Sequence, residues 1–214
     1  MNPRALILIP TEFEAGLLLP RLKLDDLPVD VATETCGFGP VVAGAHSSQL
    51  LARHRPDQVI LAGIAGTLSN QLSVGTACCF TSVCLYGVGA GNGENFQTAE
   101  ELGWSQFPST KQHNLIGDTI ALTSPSHTLS RQLVTCCAAS DNKTEADWRR
   151  QKFPDAAAED MEGFSVAAAC QLAKIPLQIV RGISNVAGDR DKENWQVEDA
   201  IESAAGILKE LLTW

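Results

Sequence analysis

Three polar side chains, far apart along the chain, stand where a small molecule could be gripped and split: Glu14, Glu162 and Asn185. Glu14 comes a short turn after the apolar run Ala5–Ile9. A carboxylate near the positive end of a helix stays ionised, and an ionised carboxylate can take a proton from water. Asn185 closes the apolar run Leu177–Ile183 through Ser184-Asn185. Polar groups just past the carboxyl end of a buried strand occupy the place where open α/β sheets put their ligands. A primary amide there can donate through its NH₂ and accept through its carbonyl. Glu162 belongs to Glu159-Asp160-Met161-Glu162, a cluster read as the opening of a helix that continues through Val166, Ala169, Cys170 and Ala173. Glu14 and Asn185 also have a bland reading. Thr11 followed by Glu14 is a capping-box pattern, and Asn185 suits a turn.

The elements that must position them alternate along the chain. Ala5–Ile9, Val29–Cys36, Asp57–Ile64, a β-leaning stretch in Leu72–Tyr86, Leu115–Thr123, Leu133–Ala139 and Leu177–Ile183 read as strands. Helices are expected after Thr11, over Val41–His54 with Pro40 near its first position, at a turn near Ser126–Arg131, over Thr144–Lys152 and over Trp195–Leu212. The last helix keeps its apolar residues at helical spacing, as a core stripe or an oligomer surface. The turn Gly37-Phe38-Gly39-Pro40 could cradle an anion through backbone N–H groups or serve only as a tight connection. The glycine run Gly87–Gly93 has no register that gives G-x-G-x-x-G and no amphipathic helix after it. It reads as a surface loop. Together these predict one α/β domain over residues 1–214, a mixed central sheet with helices on both faces.

Composition excludes several classes of partner. The 214 residues carry a net charge of −9, against nucleic acid and anionic membranes, which need a basic surface. The N-terminal apolar run is short and followed at once by Glu12 and Glu14, unlike a signal peptide, and no stretch approaches a membrane span. The expected location is cytoplasmic. The seven cysteines show neither CxxC nor a Cys/His metal spacing and read as small buried apolar residues. The four histidines are scattered. No metal and no cofactor is expected.

Met161-Glu162, followed by Val180-Arg181-Gly182-Ile183-Ser184-Asn185, resembles the nucleoside phosphorylase/nucleosidase family. That family's nucleosidases carry a Met-Glu pair that holds ribose and an Arg-x-Ile-Ser-Asp segment that holds the purine. Glu12-Phe13-Glu14 is similar to its Glu-x-Glu, whose second member activates the attacking water. Gly63-Ile64-Ala65-Gly66-Thr67 is similar to a Gly-Ser-Ala-Gly-Gly run that lines ribose and base, with Ile64 in place of a serine. Asn185 in place of Asp, the segment Val186–Arg190 and Trp195 bring the chain nearer to the futalosine hydrolase branch. The Gly87–Gly93 loop, Phe96 and Glu100-Glu101-Leu102-Gly103-Trp104 also resemble that branch, where they could form a lid or a wall for the non-purine end.

The resemblance implies an N-ribosyl hydrolase with a purine nucleoside as its small-molecule partner. Glu14 would activate water, Glu162 would stabilise the cation-like sugar and Asn185 would hold the leaving base, with Ala65, Gly66 and Met161 lining the substrate. Asn185 can accept from a purine N7–H and donate to a six-position oxygen, which suits a 6-oxopurine; a flipped amide would match adenine. Futalosine, split to hypoxanthine and a dehypoxanthine product in menaquinone synthesis, is the substrate this implies. Its benzoate-like tail needs a cation, for which Arg190 is the first candidate, then Lys192, Lys111 and His113. Water is expected as nucleophile, since Glu14 would repel phosphate and no phosphate-binding Arg is evident, although Arg4, Arg21 and Lys23 could approach. A methylthioadenosine/adenosylhomocysteine-type nucleosidase, a purine nucleoside phosphorylase and a non-catalytic nucleoside-binding protein stay open. Family members commonly form homodimers or larger oligomers, so a homo-oligomer is expected.

Overall fold

The computed structural model describes residues 4–24, 30–111, 115–125 and 128–213. Its centre is a mixed sheet built outward from β3 (Gln58–Thr67), ten residues long and buried over most of its length. On one side β3 pairs in parallel with β1 (Ala5–Ile9), which pairs in parallel with β2 (Val31–Thr35). Along its other edge β3 pairs in parallel with β11 (Leu177–Val186), itself antiparallel to β4 (Ala77–Cys79). The last residues of β3 also pair antiparallel with β10 (Ala156–Asp160), and β9 (Gln132–Cys136), β5 (Ser82–Tyr86) and β8 (Thr119–Ala121) follow outward.

Helices cover both faces because β1 and β11 are apolar on both sides, as expected from their unbroken apolar runs. Leu6, Leu8 and Ile179 pack with α2 (Pro40–His54) and α4 (Gly163–Ala173). Ile7, Ile9 and Val180 pack with α1 (Glu12–Leu22) and α5 (Val197–Leu211). The α5 stripe Ala200, Ile201, Ala204, Ala205 and Leu208 is wholly buried, so it is core and not an oligomer surface. A third cluster seats α3 (Lys143–Lys152) against Val134, Cys136 and Ala156. Six of the seven cysteines are buried and Cys137 is exposed. Among the described residues no helix is long and apolar enough to cross a membrane.

Several expectations need correction. Glu159 and Asp160 do not open a helix: they end strand β10, and the helix begins at Gly163. Alanine is the strongest helix former, but propensity is a weak prior, and a fully buried strand ladder to β9 and β3 overrides it. The Leu72–Tyr86 stretch divides at Phe80-Thr81, because β4 joins β11 while β5 joins β9. The turn expected near Ser126–Arg131 is not helical at residues 128–131, and Ser126 and His127 lie outside the described residues, as does Val29. Within the glycine run, Gly89–Ala90 forms a two-stranded ribbon with Gln97–Thr98, β6 and β7, and Gly93 abuts Trp148 of α3.

Candidate active site

The carboxyl ends of β1, β3 and β11 meet the end of β10 around a cavity of about 390 Å³. Glu14, Ala65, Gly66, Met161, Glu162, Asn185 and Arg190 all line it. The Gly87–Gly93 run does not.

Under its floor lies Arg181 on β11, fully buried. An unpaired guanidinium in an apolar interior is prohibitively costly, so partners must surround it. Its Nε and Nη2 donate to Asp160 Oδ2 at 3.1 and 2.5 Å, and Nη2 reaches Glu162 Oε2 at 3.5 Å. Asp160 is further held by Thr135 Oγ1 at 2.6 Å and the Gly163 N–H at 2.9 Å, the latter at the start of α4. Arg181 Nη1 has no hydrogen-bond partner among the described residues. Beside it, Gly63 pairs with Arg181 across the strands. A Cβ at Gly63 would overlap Nη1 and stand 2.6 Å from Glu14 Oε1, so this glycine keeps the carboxylate and the guanidinium next to each other.

Glu14 is buried at the first turn of α1. Thr11 caps the helix by accepting from the Glu14 N–H, but the other half of the capping box is missing. The carboxylate accepts instead from Thr11 Oγ1 at 2.6 Å and from the Ile64 N–H at 3.0 Å. It is therefore fixed at the cavity wall and not spent on the helix end. Glu162 occupies the N-cap position of α4 without capping it. Its Oε1 accepts from the Gly39 N–H at 3.0 Å. The anion cradled by the Gly37–Pro40 turn is thus the protein's own carboxylate. Burial pushes the Glu162 carboxyl up to about 7 against the pull of Arg181, with Asp160 adding to the rise and the Gly39 N–H opposing it.

Ser184 sits at a register shift in β11, and Asn185 after it pairs with Gly66. Ser184 Oγ lies 2.8 Å from Asn185 Oδ1 and 3.3 Å from the Ala65 carbonyl. Asn185 Nδ2 donates to the Val186 carbonyl at 2.9 Å and has a long 3.5 Å contact with that of Asp189. The serine hydroxyl would tolerate either amide orientation. The two carbonyls tolerate one, because a flip would set Oδ1 against them. The Asp189 carbonyl also accepts from Trp195 Nε1 at 3.1 Å. Arg190 is exposed, its guanidinium 5.3 Å from the centre of the Trp195 ring. The Asp189 carboxylate accepts from the Asp191 N–H and Asn194 Nδ2. Arg4, Arg21, Lys23, Lys111 and Lys192 do not line the cavity, and His113 lies outside the described residues. Arg21 is bonded to Glu198 and Glu202.

Sequence reasoning placed Arg181 in a purine-binding segment and missed its part in holding the carboxylates. The available signal was one charged residue inside an apolar run. It also missed Glu159, a buried carboxylate on the wall that accepts from the Ser140 N–H at 2.9 Å, from Ser140 Oγ at 2.7 Å and from Arg149. Among the described residues no group of three or more His, Cys, Asp or Glu could hold a metal ion.

The family model described as "Phosphorylase superfamily" matches residues 27–213. A futalosine hydrolase of Streptomyces coelicolor is 28% identical over 199 residues, covering 90% of this chain and 83% of that one. A 5'-methylthioadenosine/S-adenosylhomocysteine nucleosidase of Psychromonas ingrahamii is 29% identical over 185 residues, covering 82% and 78%. In fold, the corresponding nucleosidase of Colwellia psychrerythraea, solved with adenine, aligns with TM-score 0.76 at 21% identity over 99% of this chain and 95% of that one. The futalosine hydrolase of Helicobacter pylori aligns with TM-score 0.76 at 16% identity, covering 99% and 97%.

The raised Glu162 carboxyl has a consequence for stability. The folded state binds its proton more tightly than the unfolded chain does. Its contribution is therefore complete below the ordinary value of 4.5 and is lost as pH rises through about 7. Chemical denaturation from pH 4.5 to 8 is expected to show this decline in the wild type and a flatter profile in Glu162→Gln. Coincident profiles would show that Glu162 titrates alike in both states.

Proposed function

The chain belongs to the phosphorylase superfamily, and within it we propose an N-ribosyl hydrolase that releases a 6-oxopurine from a nucleoside, with futalosine as the substrate. The observation that carries the base assignment is the orientation of Asn185. Its Nδ2 faces two backbone carbonyls, and Ser184 can use only part of the capacity of Oδ1. One N–H, held only by a 3.5 Å contact, can turn to O6, while Oδ1 can accept from N7–H. An adenine would need the reverse orientation. The substrate's N7 carries a lone pair and takes up a proton from solvent water as the base departs. The Oδ1 bond is therefore made on the way to products, where it lowers the barrier.

The sugar side supplies the rest. Glycosidic cleavage leaves positive charge on the ribose, and Glu162 and Met161, adjacent on the cavity wall, are the groups assigned to the ribose hydroxyls. Glu14, fixed by Thr11 and Ile64, takes the proton of the attacking water. Behind it, under the cavity floor, lies the Nη1 of Arg181, without a hydrogen-bond partner among the described residues. Water is favoured over phosphate for two reasons. Four carboxylates, Glu14, Glu159, Asp160 and Glu162, line the site, and the Gly39 N–H that could have met phosphate is bonded to Glu162. Arg181 is already paired with Asp160 and Glu162.

For the substrate's anionic aromatic tail, Arg190 is the one cation among the described residues lining the cavity, and Phe13 and Phe38 offer exposed rings. We also propose a homo-oligomer. Phe38, Val41 and Val42 leave an apolar patch on the start of α2, at 66%, 81% and 54% exposure, and a second copy would cover it. Light scattering at micromolar protein is expected to give at least a dimeric mass, and a monomeric mass would refute that.

Base release from futalosine, inosine and methylthioadenosine, each with and without phosphate, tests the reading. Hypoxanthine is expected from futalosine regardless of phosphate. Adenine from methylthioadenosine alone would show Asn185 misread, and a strict phosphate requirement would remove Glu14 from water activation. Glu14→Gln is expected to lower kcat by roughly 100-fold or more while the folded state persists; full activity in that variant would exclude it as the base.

Arg190→Ala is expected to raise KM for futalosine roughly tenfold, with kcat for inosine hydrolysis unchanged. Equal losses on both nucleosides would assign Arg190 to the base end and not to the tail.

A further inference from the structure

On the sheet, Glu159 of β10 and Asn185 of β11 are both registered against the same residue of β3, Gly66. The three form a row across the sheet, and all three line the cavity. Two strand spacings separate the outer members by roughly 10 Å. The middle member has no side chain, and its Cβ direction faces Ala187. Asn185 and Glu159 flank it on the cavity wall, a spacing that admits one flat base between them.

The chemistry of the Glu159 edge is set by its neighbours. Ser140 could have offered the cavity a backbone N–H and a hydroxyl. Both are turned onto Glu159, the N–H to Oε1 at 2.9 Å and Oγ to Oε2 at 2.7 Å. Arg149 pairs with Oε2 as well, and its guanidinium also donates to the Ala138 carbonyl at 2.9 Å. Paired with Arg149, the Glu159 carboxylate group offers the cavity acceptors only. Among the described residues Oε1 takes a single hydrogen bond, so it retains a free lone pair.

We propose that Glu159 is a second specificity-determining residue, which accepts the N1–H of a 6-oxopurine. This rests on the base assignment made from Asn185 and adds an independent reason for it. Along that edge a departing 6-oxopurine presents N7–H, O6 and N1–H in order: donor, acceptor, donor. Asn185 Oδ1, Asn185 Nδ2 and Glu159 present acceptor, donor, acceptor. Adenine carries a lone pair at N1 and would meet a carboxylate with it, a repulsion that cannot be relieved by rotating a carboxylate.

The test is equilibrium binding of free bases, which needs no turnover. Hypoxanthine, 1-methylhypoxanthine and adenine would be titrated into wild type, Glu159→Ala and Glu159→Gln. Wild type is expected to hold hypoxanthine roughly 10- to 100-fold more tightly than 1-methylhypoxanthine, the range for a hydrogen bond to a charged group. Glu159→Ala should reduce that ratio to a few-fold. Glu159→Gln can donate to N1 of adenine, so the hypoxanthine-to-adenine ratio should narrow about tenfold. It also keeps an acceptor for Ser140, and it carries the test if the alanine variant does not fold. A residue that only braced the wall would weaken all three bases alike, and that result would overturn the proposal. Equal wild-type binding of hypoxanthine and its 1-methyl derivative would overturn it too. A wild-type preference for adenine would instead overturn the base assignment itself.

Discussion

The site depends on one buried cation. Arg181 sits in the middle of a strand whose neighbours are apolar, and a guanidinium there must be paired or the strand cannot be interior. Its pairing dictates what surrounds it. Asp160 must end β10 at the depth of the guanidinium, so the turn to α4 comes directly afterwards. Gly63 must lack a side chain, because Arg181 occupies that space. Glu162, two residues past Asp160, is carried to the cavity by the same turn. The positions of three carboxylates, Asp160, Glu162 and Glu14, thus follow from the need to bury a single charge without stranding it.

Those carboxylates are not equivalent, and the hydrogen bonds say why. Asp160 accepts from Arg181, Thr135 and Gly163 and has little left to offer a ligand. Glu162 has one backbone N–H and a long contact to Arg181, and burial lifts its carboxyl to about 7. A carboxylate held this loosely stands to gain most when a positive charge develops nearby. Unequal environments for adjacent acids are a usual way of separating structural from reactive roles.

Much of this was legible in the chain. The unbroken apolar runs gave β1 and β11, and polar residues just beyond them marked the cavity that Glu14, Glu162 and Asn185 share. The start of α4 was misplaced because Ala156–Asp160 has helical composition and is a strand only through its pairing partners, invisible to local pattern. The capping box at Thr11 was half right for a related reason: the N-cap is local, but the fate of the Glu14 carboxylate depends on Ile64, fifty residues away. Glu159 was read as a helix-opening acid. Nothing near it in sequence reveals that Ser140 and Arg149 converge on it.

The sugar-side and base-side groups answer to different constraints. On the proposed reading, Glu14 and Glu162 address charge that develops in any ribosyl–purine cleavage, so they do not discriminate among bases. Selectivity must come from groups at the base edge, where a missing or reversed hydrogen bond leaves a buried polar atom unpaired. Those groups lie on the two strands flanking Gly66, tied to separate supports: Asn185 to the carbonyls of its own turn, Glu159 to α3 and the segment before it. The base edge can therefore change without disturbing the buried cation that organises the sugar side. On the proposed reading, that separation would let one fold and one set of sugar-side carboxylates accommodate bases with opposite hydrogen-bonding patterns.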